Sequence, residues 1–188
     1  MAAVWTMRGP MNGFCILLTF VMILGLTLRG NYTLSQMGLT EPSFRSAATV
    51  LFWGIVLVLL LALASRWTGL NEAPRPLIWS QMWKYTIWAM LQQFILQSFF
   101  FVRLESLFGD RAGLWAASLF AITHIPSPLL TALSFLGGLF FCEMFRRYRN
   151  IFSLGIVHAA LGYTIAACFC DSILHRMRVG IAYLRYHP

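Results

Sequence analysis

The stretch Ala48-Thr-Val-Leu-Phe-Trp-Gly-Ile-Val-Leu-Val-Leu-Leu-Leu-Ala-Leu-Ala-Ser65 runs without a single charged residue. A helix rises about 1.5 Å per residue, so this segment comes close to crossing the ~30 Å hydrocarbon core of a bilayer. Comparable apolar runs occupy residues 13–28, 82–102, 128–145 and 151–170, with a shorter one at 113–123. The first is short unless its flanks join it. The run at 113–123 is too short to cross and is stopped by Pro126 and Pro128. It is expected to end inside the protein, because non-helical backbone at membrane depth is tolerated only beside protein or a cavity. The fold expected is an all-α polytopic membrane bundle of about six spans.

Composition agrees with that reading. Hydrophobic residues make up 59% of the 188-residue chain and charged residues 11%, with a mean hydropathy of +0.72. Soluble domains average roughly 45–50% and 25%. A water-facing surface cannot be built from so few charges, which excludes a soluble Rossmann-type enzyme, a secreted disulfide scaffold and a disordered tail. The net charge of +8 would suggest nucleic acid in a soluble protein. Here the basic residues stand singly or in short runs between apolar stretches, as at Arg146-Arg147-Tyr148-Arg149, and read as interfacial anchors. No nucleic-acid partner is expected. Cys15, Cys142, Cys168 and Cys170 lie in apolar stretches with no CxxC spacing, so free thiols and no bound metal are expected.

One membrane domain accounts for the whole chain: residues 1–80 hold two N-terminal spans and a loop, 81–170 a core, and 171–188 a basic tail that suits an interfacial helix. No small-x-small cleavage site follows the first apolar run, so it reads as an uncleaved span. Basic residues divide seven against seven between the two faces of a six-span topology, and charge therefore does not set the orientation.

Polar residues kept inside spans are costly in lipid and are candidates for function. Residues 90–98, Met-Leu-Gln-Gln-Phe-Ile-Leu-Gln-Ser, carry Gln92, Gln93 and Gln97. Gln93 and Gln97 share a helical face, and Gln92 lies about 100° away. His124 ends the short run in Phe120-Ala-Ile-Thr-His124, and His158 sits inside the last run in His158-Ala-Ala-Leu-Gly162. By helical rise, His158 lies roughly 12 Å deep and Gln92 roughly 15 Å deep, while His124 ends its helix on the side of the chain termini. The three are expected to line a cavity opening toward the termini. Polar glue between helices is the plainer reading of the same amides. Glu105 and Glu143 belong near the opposite face.

These motifs resemble the CAAX protease and bacteriocin-processing (CPBP) family of intramembrane glutamic-type peptidases, whose core helices carry EExxxR, FxxxH and HxxxN. The first aligns with Gln92-Gln93-Phe-Ile-Leu-Gln97, the second with Phe120–His124 and the third with His158–Gly162. The resemblance covers about residues 83–167, and Phe120, His124 and His158 are the matching positions. It implies an intramembrane endopeptidase acting on a membrane-anchored protein or peptide, with His124, His158, Gln92 and Gln93 at the reacting centre and Gln97, Phe120 and Gly162 supporting it. It also implies a site opening to the cytosol, termini inside, in an inner or plasma membrane. No cofactor is implied. Both glutamates are glutamine here, the arginine is Gln97, and the asparagine is Gly162. An amide has no useful basicity, so the base would be His124 or His158. The alternative is an inactive descendant that binds a lipidated protein, peptide or lipid in the former cavity. A third reading takes its acid from Asp171 or Glu72, or binds a metal through the histidines, for which two imidazoles and amides make a poor ligand set.

Overall fold

A computed structural model describes residues 10–70 and 79–185. Among them every regular element is helical, with no strand. The long helices are α1 (Pro10–Arg29), α2 (Phe44–Trp67), α3 (Trp79–Gln93), α6 (Pro128–Tyr148) and α7 (Ile151–Cys168). Helix α3 continues through a π-helical stretch, Phe94–Phe101, into α4 (Val102–Phe108). A 3₁₀ turn at Gly109–Arg111 then leads into α5 (Ala112–Ile122). The tail holds α8 (Asp171–Leu174), a second short turn at His175–Met177, and α9 (Ile181–Leu184).

Five segments are long and apolar enough to cross a membrane, one of them the continuous stretch from Gln81 to Ile122. That stretch reverses at Gly109, whose φ of 53° is freely available only to glycine. Helix α5 is therefore an 11-residue element, about 16 Å long and half of what a crossing needs. It ends within the protein, as its prolines suggest. Outward-facing side chains complete the membrane argument. Phe52, Trp53, Ile55, Leu59, Leu60 and Leu63 on α2 are all exposed, and so are Leu17, Val21 and Leu24 on α1. An apolar surface of this extent is stable against lipid and not against water.

Helix boundaries follow from local chemistry. Ser43 caps α2 by accepting from Ser46 N–H at 3.2 Å. Asn150 caps α7, its Oδ1 accepting from Ser153 N–H at 3.1 Å. Pro128 opens α6, where a missing N–H is harmless, and Arg149 closes it in the left-handed region. Only Arg149 and Asn150 separate α6 from α7, and beyond that turn the helices take different partners, α6 packing on α5 and α7 on α2 and α3.

Small residues let the helices approach. A Cβ at Gly138 would stand 3.0 Å from Ala117 Cα, so α6 lies directly on α5. Gly54 of α2 admits Val157 of α7, and Gly155 of α7 admits Met90 of α3. With lipid outside, such close van der Waals contact does the work that water exclusion does in soluble proteins. The main core, around Val50, Leu96, Phe101, Phe120, Phe145, Leu154 and Val157, draws on α2, α5, α6, α7 and the π-helical continuation of α3.

The tail departs from the expected interfacial helix. His175, Arg176 and Met177 all have φ near 50°, a left-handed turn that no helix can carry through. Burial explains the break: Leu174 is 1% exposed against Leu130 and Phe169, and Met177 and Val179 pack on the same cluster. Gly180 N–H donates to Ile125 O at 2.9 Å, fastening the tail to the loop that follows His124.

Candidate functional site

Four elements converge on His158. It lies on α7 two turns from the Asn150 cap and is 8% exposed. From α3 comes Gln93 and from the π-helical stretch Gln97, both fully buried. From α5 comes Phe120, its ring at right angles to the imidazole with centroids 5.6 Å apart. From α6 come Phe141, whose centroid is 5.2 Å from His158, and buried Cys142.

The polar groups form one directional chain. Gln97 Nε2 donates to Gln93 Oε1 at 3.3 Å and, more weakly, to Cys142 Sγ at 3.8 Å. Gln93 Nε2 donates to His158 Nδ1 at 3.1 Å. An amide NH₂ cannot accept, so Nδ1 holds the lone pair and the ring hydrogen sits on Nε2. Gln97 Oε1 is buried with no hydrogen-bond partner among the described residues.

His124 is held in the opposite sense. Its Nδ1 lies 3.0 Å from Phe120 O, a carbonyl that only accepts, and 3.1 Å from Thr123 Oγ1. Nδ1 therefore carries the hydrogen and Nε2 the lone pair. The His124 ring stands edge-on to Phe120 with centroids 4.9 Å apart, so a single phenyl ring separates the two imidazoles. Two histidines in complementary tautomers offer one base and one neutral hydrogen-bond donor.

Of the residues singled out from sequence, Gln93, Gln97, Phe120 and His158 are brought into direct contact, and His124 joins them through Phe120. Gln92 does not. It is half-buried and makes no hydrogen bond among the described residues, whereas the neighbouring amide is the one that reaches His158. Helical phase explains this: Gln92 lies 100° off the face that Gln93 shares with Gln97. The π-helical stretch, in which Val102 N–H bonds back to Gln97 O, was not foreseen. Such segments concentrate at functional sites, and this one keeps Leu96, Gln97, Ser98 and Phe99 buried in succession.

Instead of lining an open cavity toward the termini, the amides and His158 are packed. A hollow of about 650 Å³ is lined instead by Ser118, Ala121, Ile122, Pro126, Pro128 and Thr131 of α5, α6 and the loop between them, and by none of these polar residues. Gly162, the remaining position of interest, faces Tyr85 of α3, whose phenol occupies the space a Cβ would need. Tyr85, Phe141 and Cys142 were missed from sequence. Nothing in the sequence marked them: Tyr85 stands eight residues before Gln93, about 80° away in helical phase.

The acidic residues lie elsewhere. Glu105 pairs with Arg149 at 2.5 Å, and Glu143 with Arg146 and Arg147. Asp171 pairs with Arg176. Glu72 falls outside the described residues. Among those described, no group of three His, Cys, Asp or Glu stands close enough to hold a metal ion. Set against known protein families, curated proteins and solved structures, the chain matches none of them.

Proposed function

We propose that this integral membrane protein is a CPBP-like intramembrane endopeptidase with an altered site, acting on a membrane-anchored protein or peptide from an inner or plasma membrane with its termini in the cytoplasm. The observation that carries the reading is the pair of complementary imidazoles flanking Phe120, one presenting a lone pair and the other an N–H.

The chemistry follows from those two atoms. His124 Nε2 takes a proton from a water whose oxygen bonds to the scissile carbonyl carbon. The carbonyl π electrons move to oxygen, and the oxyanion is held by His158 Nε2–H. On collapse the C–N bond breaks, and His124 returns its proton to the departing amine. One water is consumed and a carboxyl and an amine are produced. Gln93 takes no part in proton transfer; by donating to Nδ1 it keeps the hydrogen of His158 on Nε2.

A second reading is favoured by the closure of the cluster. No carboxylate enters it, and the amides bond to each other and to His158. An inactive descendant binding a lipidated protein, peptide or lipid against this region fits that closure.

Terminal peptide profiling of membranes separates the two. Cells lacking the protein would be complemented with wild type or with His124→Ala/His158→Ala at matched accumulation. New membrane-protein termini seen only with wild type are expected for the peptidase. Identical profiles would sink it and leave the binding reading, to be pursued through co-purifying lipids and proteins.

A further inference from the structure

Tyr85 places a hydroxyl beside the reacting centre that no structural contact uses. The side chain is half-buried on α3. Its neighbour Tyr163 donates to Met82 O and lies 3.4 Å from Thr86 Oγ1. The two rings are in contact, with centroids 5.2 Å apart. Yet the Tyr85 oxygen makes no hydrogen bond among the described residues. It points instead over Gly162, where any larger residue would collide with it.

That location is one turn along α7 from His158, on the same face, where Cβ positions are about 5–6 Å apart. On α3, Tyr85 meets Gly162 and Gln93 bonds His158, so both side chains reach α7. Helix α7 runs toward the tail, so Gly162 and Tyr85 lie on the tail side of His158, the side on which the His124 loop is tied to Gly180. The phenol O–H therefore lies about one helical turn from His158 along α7, on the side of the His124 loop.

From this geometry we infer that Tyr85 is a catalytic residue, its hydroxyl donating with His158 Nε2–H to the carbonyl oxygen of the scissile bond. The inference rests on the peptidase reading above and deepens it. Gly162 is then a requirement of the site, since its missing side chain is what admits the phenol. A second donor of this type contributes only when negative charge develops on the oxygen.

The test uses full-length protein in membranes and reads the rate at which histidine-dependent termini appear, normalised to protein level. Tyr85→Phe keeps the ring and its packing and removes the donor. It is expected to accumulate normally and to slow the reaction on the order of 10²–10³-fold. Tyr163→Phe is the control: it removes a structural hydroxyl, and its rate per molecule should match wild type. Gly162→Ala should mimic Tyr85→Phe by displacing the phenol. A Tyr85→Phe rate equal to wild type overturns the assignment while leaving the peptidase intact. If wild type itself makes no termini beyond those of His124→Ala/His158→Ala, the peptidase reading falls first and takes this role with it.

Discussion

The cluster around His158 and the cluster around Arg149 are both polar and both tie several helices together, but they are built from different chemistry. At His158 three helices and the π-helical stretch meet through amides, an imidazole and a thiol, without one formal charge. At Arg149 the guanidinium donates to Glu105 Oε2 at 2.5 Å and to Gln36 O at 3.3 Å, and stacks near Phe145 and Phe101. Nearby, Arg103 donates to Phe99 O and Leu26 O and lies over Tyr32. The difference is one of depth. Arg149 sits at the end of α6, where water or lipid headgroups can solvate an ion, whereas His158 lies roughly 10 Å further along α7. Moving an ion into a medium of low dielectric constant is heavily penalised, so the interior keeps neutral groups and the rim keeps charges.

Placing a charge in the wrong region should therefore do the most damage. In Gln97→Glu a carboxylate would face Gln93 Oε1, an acceptor, with no cation near it. The expected loss is about 3 kcal/mol or more, read as a collapse in accumulation and in thermal stability in detergent, with Gln97→Met much milder. A stable Gln97→Glu protein would show that water reaches the cluster. The next effect is at the rim. Glu105→Gln leaves the part-buried Arg149 guanidinium with carbonyl and ring partners only, and a loss of roughly 1–2 kcal/mol is expected in the same melt. The smallest is Glu143→Gln. Its partners Arg146 and Arg147 are exposed, so the change should stay below about 1 kcal/mol and shrink further with added salt. Should Glu143→Gln cost more than Glu105→Gln, the ordering by depth would be wrong.

Legibility from sequence followed the same division. Uncharged runs such as 48–65 marked the spans, and the short 113–123 run with its two prolines marked the helix that stops inside the protein. These are local properties, fixed by helical rise and bilayer thickness. Gln93, Gln97 and His158 were visible as polar residues where lipid should forbid them. That Gln93 rather than Gln92 reaches His158 was not visible, because it depends on how α3 is rotated against α7. The Met90–Gly155 and Tyr85–Gly162 contacts set that rotation, and both join residues more than sixty positions apart. The tail misled for a related reason: alternating Arg with Ile and Leu reads as an interfacial helix, but Leu174 found a buried seat against α6 and broke it.

Sequence by itself determined the solvent and the architecture: a chain this apolar must be lipid-facing, and a backbone in lipid must satisfy its own hydrogen bonds as helices. Tertiary structure alone decided the tautomers of His124 and His158, the exclusion of Gln92 and the position of the Tyr85 hydroxyl. Each of those is set by a distance of a few ångströms between helices, and composition and periodicity along a single helix carry no information about such distances.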